Sequence, residues 1–175
     1  SIDYQVGIAA ANTSLGMGKS TQGKTPEALG NFMEALVIYQ NLGDSVKMAN
    51  IYNNLANIYS SNGNNQEAMR YYETAMSIYK SLKNREGESM ILNNIGTIYL
   101  DLQNPYSALY YLDQSRLSNV EIQDKSALAT NYTNMGYAYA DKGDYTAAIY
   151  YYNKSYTLAN EIGAKETIST AAAAI

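Results

Sequence analysis

Residues 52–75 read YNNLANIYSSNGNNQEAMRYYETA. Ile51, Leu55, Ile58 and Tyr59 recur at steps of three and four, and so do Ala68, Tyr72, Ala75 and Tyr79, which is the spacing of one face of an α-helix. Between the two runs stands Ser61-Asn62-Gly63-Asn64. Gly63 supplies the positive φ that a helix-ending turn asks for. Asn64 is placed to cap the next helix, and Glu67 three residues on to complete a capping box. Asn62-Gly63 is also a β-hairpin dipeptide, but no alternating strands flank it. The stretch therefore predicts two helices joined by a tight turn.

The same pattern returns every 40 residues in both directions. Leu15, Leu55, Ile95 and Met135 form one column, and Gly16, Ala56, Gly96 and Gly136 the next. Gly23, Gly63, Gln103 and Gly143 align, as do Ala28, Ala68, Ala108 and Ala148, and Leu42, Leu82, Ile122 and Ile162. The repeats run 5–44, 45–84, 85–124 and 125–164, and 165–175 begins a fifth. Asn104 and Asp144 repeat the Asn64 cap, while Pro26 and Pro105 fall in first turns, where a missing N–H costs nothing. One hairpin cannot bury its own apolar stripe, so neighbours must stack into a solenoid. The small columns let paired helices approach, with Ala68 and Ala75 against Ala56 and with Tyr72, Tyr59 and the Tyr59 equivalent Tyr99 expected to fill the interior. The Leu column is expected to be buried throughout. Residues 1–175 read as one domain, and a chain that opens on Ser1 reads as a piece of a longer protein.

Tyr52-x-x-Leu55-Ala56-x-x-Tyr59, then Gly63, Ala68, Tyr72 and Ala75, resembles the tetratricopeptide repeat signature. Leu92, Ile95, Gly96, Tyr99, Ala108 and Leu112 restate it, as do Tyr132, Met135, Gly136, Tyr139, Ala148 and Tyr152. The first repeat departs, with Asn12 at the lead aromatic position and Lys19 at the Tyr position, and reads as a frayed or capping repeat. The usual period is 34 residues. At 40 the chain is similar to the long-repeat branch of kinesin light chains, G-protein-regulating adaptors, bacterial Rap-type regulators and the sensor arrays of bacterial histidine kinases. HEAT and armadillo repeats have comparable periods but lack these small-residue columns. The resemblance implies an all-α, right-handed superhelical solenoid of antiparallel helix pairs.

It also implies that the first helix of each pair lines a concave groove. Asn53-Asn54 and Asn93-Asn94 stand just before the Leu column, and the fourth repeat keeps Asn134 after Thr133. Asn is a mediocre helix former, so copies at a spacing of 40 ask for a reason. In peptide-binding relatives an Asn here pairs with the ligand backbone, which a carboxamide with one acceptor and two donors suits. The alternative is that these residues bridge adjacent hairpins. Asn50, Asn57, Ser61, Met90, Thr97, Asp101, Thr130, Tyr137 and Asp141 are the surrounding groove positions. The candidate peptide-binding set is thus Asn50, Asn53, Asn54, Asn57, Asn93, Asn94, Thr97, Asn134 and Tyr137. No Lys/Arg clamp for a C-terminal carboxylate is among them, so an acidic chaperone tail is not the expected ligand.

Composition narrows the rest. Charged residues are 16%, against about 25% in ordinary domains, and net charge is −4, so nucleic acid is not an expected partner. With no Cys and no His, disulfides, thiolate nucleophiles, zinc sites and His-dependent acid–base schemes are excluded. Asp101 and Asp141 have no base, nucleophile or metal ligand beside them in the pattern, and no catalytic residue, metal or cofactor is expected. Gly18-Lys19-Ser20 looks like the end of a phosphate loop, but Thr13 stands where its first Gly belongs and no strand precedes it. Asn12, Asn131 and Asn153 open glycosylation triplets that all fall on predicted helices. Of the 19 Tyr, the neighbours of the core members in Tyr71-Tyr72, Tyr110-Tyr111 and Tyr150-Tyr151-Tyr152 are expected to cover the convex side. Ala174 stands where the Asn column would continue, which suits a cap or a truncation. No apolar run of about 20 residues spans a membrane. The expected role is a protein- or peptide-binding scaffold, the sensor or adaptor section of a signalling protein. Self-association into a homo-oligomer is the alternative. The expected compartment is the cytoplasm, or the periplasm if the piece belongs to a membrane-bound sensor.

Overall fold

The structure, a computed structural model, describes residues 2–174; the last residue of the partial fifth repeat lies outside them. The described residues form nine helices and no strand: α1 (Ile2–Thr21), α2 (Thr25–Leu42), α3 (Ser45–Ser61), α4 (Asn65–Ser81), α5 (Arg85–Asp101), α6 (Pro105–Glu121), α7 (Lys125–Asp141), α8 (Tyr145–Ile162) and α9 (Lys165–Ala173). The fold is all-α, built from the consecutive helix pairs that the 40-residue period predicts. Two compact units divide the chain, one ending at Lys83 and one starting at Asn84.

The turns are made by the residues that the repeat singles out. Gly23, Gly63 and Gly143 take φ of 72°, 76° and 81°, and Gln103 adopts the same left-handed conformation at 53°. A second such column closes each repeat, at Gly43, Lys83, Gln123 and Gly163, and the sequence reading passed over it. Asp44, Asn64, Asn84, Asn104, Asp124 and Asp144 each accept a bond from the backbone N–H three residues on. The capping box at Asn64 is only half formed, because the Glu67 carboxylate turns to Arg70 Nη1 at 2.9 Å instead.

In the first unit α1 packs on α2, α3 on α4, and α2 on α3. Ala28, Phe32, Ala35, Tyr39, Ile51, Leu55 and Ile58 fill its core. Gly16 is required there, since a Cβ would sit 2.9 Å from the Phe32 ring. Leu15 does not join the buried column and is 53% exposed. Leu55 is covered because α2 lies against α3, and no helix covers the matching side of α1 among the described residues.

In the second unit α5 pairs with α6 and α7 with α8, α6 packs on α7, and α9 lies against α8 and α7. The three first helices α5, α7 and α9 are therefore successive neighbours. Ala108, Leu112, Met135 and Ala138 form the centre of this core. A Cβ on Gly136 would come within 2.3 Å of Tyr152, which explains the small column by close approach.

Tyr59 and Tyr99 are half-buried rather than interior. Each stacks on a tyrosine of the second helix: Tyr59 on Tyr71 at 5.4 Å, Tyr99 on Tyr111 at 5.4 Å, and Tyr139 on Tyr151 at 5.2 Å between centroids. Tyr71, Tyr111 and Tyr151 are thus half of a repeated stack, worth about 0.5–1.5 kcal/mol each beyond area burial. Within the Tyr71-Tyr72, Tyr110-Tyr111 and Tyr150-Tyr151-Tyr152 clusters, Tyr110 and Tyr150 are the mostly exposed members.

Candidate functional site

Residues seven apart on one helix share a face, and α3 and α4 use this twice over. Tyr79 Oη donates to Asn50 Oδ1 and Tyr72 Oη to Asn57 Oδ1, both at 2.5 Å, which makes two rungs across the hairpin. Burial pushes the Tyr72 phenol well above its ordinary value, so it stays a donor. The acceptors of Asn50 and Asn57 are therefore committed to the fold, and each keeps its N–H groups for other partners. Asn54 is half-buried on the same helix, whereas Asn53 lies inside the fold at 6% exposure. The two members of the Asn-Asn pair point different ways, as neighbours on a helix must.

In the second unit the candidate residues meet each other. Asn93 Oδ1 accepts from Asn134 Nδ2 at 3.1 Å and from Asn131 Nδ2 at 3.3 Å, tying α5 to α7. Asn131 is buried and also donates to the Leu112 carbonyl at 3.1 Å. This is the hairpin-bridging role, filled by Asn93 and Asn134 together. Asn134 still holds its own carbonyl oxygen and a second N–H, and it is half-buried. Thr97 Oγ1 donates to the Asn94 carbonyl at 2.7 Å. The exposed Tyr137 meets the buried Tyr152 edge to face at 5.5 Å. Burial first, then Tyr137 and Asp141, pushes the Tyr152 phenol up to about 12.

Two depressions lie side by side on this face. One, of about 170 Å³, has Asn93 and Asn94 of α5, Ser115 and Asn119 of α6 and Thr130 of α7 among its walls. The other, of about 330 Å³, is lined by Thr130, Thr133, Asn134 and Tyr137 of α7 and by Thr167 and Thr170 of α9. Thr130 belongs to both, and no charged side chain lines either. Asp101 and Asp141 sit exposed at the ends of α5 and α7, outside both. Sequence reading missed Ser89, Ser115, Asn119, Thr167 and Thr170. The signal for Ser115 and Asn119 was present as a break in their columns, where Ala35 and Ala75, and Tyr39 and Tyr79, stand in earlier repeats.

Among the described residues no helix is long and apolar enough to cross a membrane, and no group of three or more His, Cys, Asp or Glu is placed to hold a metal. Gly18-Lys19-Ser20 lies within α1, and Asn131 of the second glycosylation triplet is fully buried.

The family model described as tetratricopeptide repeat matches residues 7–81 and 87–172. No curated protein sequence matches the chain. Among solved structures the chain is similar to aspartyl phosphate phosphatase F from Bacillus subtilis, with 15% identity and a TM-score of 0.86, covering 93% of this chain and 43% of that one. It is similar to a Rap protein complexed with Competence and Sporulation Factor, with 18% identity and a TM-score of 0.79, covering 91% and 45%. A STAND signal transduction ATPase with a tetratricopeptide repeat sensor from Pyrococcus horikoshii follows, with 16% identity and a TM-score of 0.75, covering 95% and 26%. The chain spans less than half the length of each of these three, and at such identities the likeness is one of fold.

Proposed function

The chain belongs to the tetratricopeptide repeat family, and from that premise we propose that it is a non-catalytic scaffold that takes an extended peptide segment along the face of its first helices. One observation carries the proposal: the two adjoining uncharged depressions of the second unit, joined at Thr130, with Asn94 in one and Asn134 and Tyr137 in the other. A neutral wall of carboxamides and hydroxyls matches the donors and acceptors of a peptide backbone without demanding a particular charge. Asn54 occupies the equivalent place in the first unit. Residues 1–175 would then act as one binding domain. The Rap protein solved with Competence and Sporulation Factor and the STAND sensor carry the same fold, which supports a sensor or adaptor role within a longer signalling chain.

The test is selection of a displayed library of random peptides on the wild-type chain and on a variant with Asn54, Asn94 and Asn134 all changed to Ala. The enriched peptides are expected to lose binding to the variant while its melting temperature falls only slightly, through the Asn93–Asn134 bond. Binding is expected to depend weakly on salt, because few charges line the face and exposed charges are screened beyond about 8–10 Å. A variant that melts much earlier yet holds the same peptides makes the column purely structural and sinks the proposal.

Self-association is a second reading, favoured by Ile8 and Leu15, which are 37% and 53% exposed on α1 where Leu55 is covered on α3. Light scattering over a concentration series separates the two, since a strictly monomeric chain at high concentration excludes it.

A further inference from the structure

The side of α7 turned away from the asparagine column borders a further depression. Thr130 and Asn134 each stand two residues from Tyr132, and two residues turn a helical side chain by about 200°. Tyr132 and Leu128, one turn earlier, therefore face the other way. Together with Leu158 of α8 they are half-buried and make an apolar floor, with Tyr150, Lys154 and Glu161 of α8 among the walls. The space measures about 420 Å³, within the range of roughly 300–1,000 Å³ that ligand pockets occupy.

One charge at this depression is left over. Glu161 is held by Lys125 at 3.1 Å, and the nearby Arg116 of α6 by Asp113 at 2.7 Å. Among the described residues Lys154 forms no ion pair. Its ammonium lies over the rings of Tyr150 and Tyr132, at 4.8 and 5.3 Å from their centroids. A hydrogen bond to Tyr150 holds its pKa above the ordinary lysine value, so the charge is kept. The cation is peculiar to the fourth repeat, since Glu34, Thr74 and Gln114 stand in its column. The third repeat also lacks the floor, with Glu88 and Ser118 in the columns of Leu128 and Leu158. At the equivalent depression on α4 the cation is Arg70, and Glu67 already holds it at 2.9 Å.

An apolar floor beside an uncompensated ammonium suits a ligand with an apolar body and a negative end. Burial rewards the body, and a charge-assisted hydrogen bond rewards the end. Chain-terminal carboxylates are captured in nests of backbone N–H groups, and those of Tyr150 to Glu161 lie within α8, where the helix uses them. A single ammonium fits a side-chain carboxylate instead. We propose that this depression is a second docking site, for a segment of a partner protein that sets an apolar side chain beside a Glu or Asp. Lys154 receives the carboxylate, and Leu128, Tyr132 and Leu158 receive the apolar side chain. The site does not depend on the peptide-binding reading above.

The displayed random library, selected on the wild-type chain, tests the site through Lys154→Gln, which removes the charge and keeps a good helix former. One class of enriched peptides is expected to weaken roughly 3- to 30-fold on Lys154→Gln, to bind Lys154→Arg almost as wild type, and to be indifferent to the triple Asn variant. These peptides should share an Asp or Glu close to a Leu, Ile, Phe or Tyr. Changing that acid to its amide should cost a similar factor on the wild type, an exchange that leaves the protein untouched, and little further on Lys154→Gln. The site is overturned if no enriched peptide responds to Lys154→Gln, if those that respond carry no acid, or if the acid-to-amide penalty is the same on both proteins. Self-association that Lys154→Gln abolishes in light scattering would give the depression to a second copy and overturn it as well. None of these results touches the peptide-binding reading, which is decided by the triple Asn variant.

Discussion

The second and third repeats place different chemistry on the same scaffold. In the second, Tyr72 and Tyr79 reach across from α4 and commit their hydroxyls to Asn57 and Asn50. In the third, Leu112 and Asn119 stand in those columns, opposite Thr97 and Met90. Thr97 turns its hydroxyl back onto its own helix, and Asn119 keeps a carbonyl without a partner. One hairpin is sealed by side chains long enough to span it, and the other is left with a polar interior of short ones. A recurring asparagine therefore has no fixed meaning in this chain. Its role is set by the residue that faces it from the neighbouring helix.

The largest test of that contrast is truncation within one column. Tyr79 is 1% exposed, and Tyr79→Ala should cost about 3–5 kcal/mol by analogy with other buried aromatics. Asn119→Ala, at the same place in the third repeat, should cost about 1 kcal/mol or less, because little packing is lost and an unpaired carbonyl goes with it. Urea melts of the two variants decide, and equal losses would break the comparison. Next in size is the small column. Gly136→Ala should destabilise by about 1–3 kcal/mol, since its Cβ meets the Tyr152 ring, although Ala is otherwise the better helix former. If the melting temperature rises, Tyr152 can move aside and the close approach is not required.

Tyr79→Phe isolates the rung from the ring. It leaves Asn50 Oδ1 without its donor and should cost about 0.5–1.5 kcal/mol, measured against Tyr79→Ala in the same melts. The smallest effect is on pH. Tyr152 titrates at about 12 in the fold, against about 10 for an unperturbed phenol. The fold favours the protonated form, so this contribution is complete below about pH 10 and is lost as pH rises from there through the folded value. Melting temperatures taken across that range should decline for the wild type and less steeply for Tyr152→Phe. Parallel curves would remove Tyr152 as the cause.

The fold was legible because its signals are local and repeated. Gly63 in its turn, Asn64 at its cap and the helical spacing of Leu55 and Tyr72 need no knowledge of distant residues. The exposure of Leu15 could not be read that way, because it depends on whether a further helix covers that side of α1, and among the described residues none does. The halves of the Tyr stacks were equally hidden, since Tyr99 and Tyr111 are brought together by the crossing of two helices and not by spacing along either one. At the site, the sequence singled out the first helices and Asn94, Asn134 and Tyr137, which line the two depressions, but it treated the asparagines as one series. The bond from Asn134 to Asn93 and the rungs from Tyr72 and Tyr79 depend on side-chain reach across a gap. Asn119 carries no such repeated signal, because its column, Tyr39, Tyr79, Asn119 and Ala159, does not agree from repeat to repeat.

The stacked tyrosines also give the molecule an optical signature. The chain has 19 Tyr and no Trp, so no indole masks the phenol bands. Rings 5.2–5.4 Å apart and within 16° of parallel couple their electronic transitions, which produces near-ultraviolet circular dichroism and rapid migration of excitation between partners. Both effects disappear when the two helices of a hairpin part. Closure of the second, third and fourth hairpins is thus visible in the unlabelled chain, and replacing Tyr71, Tyr111 or Tyr151 by Leu silences one hairpin at a time.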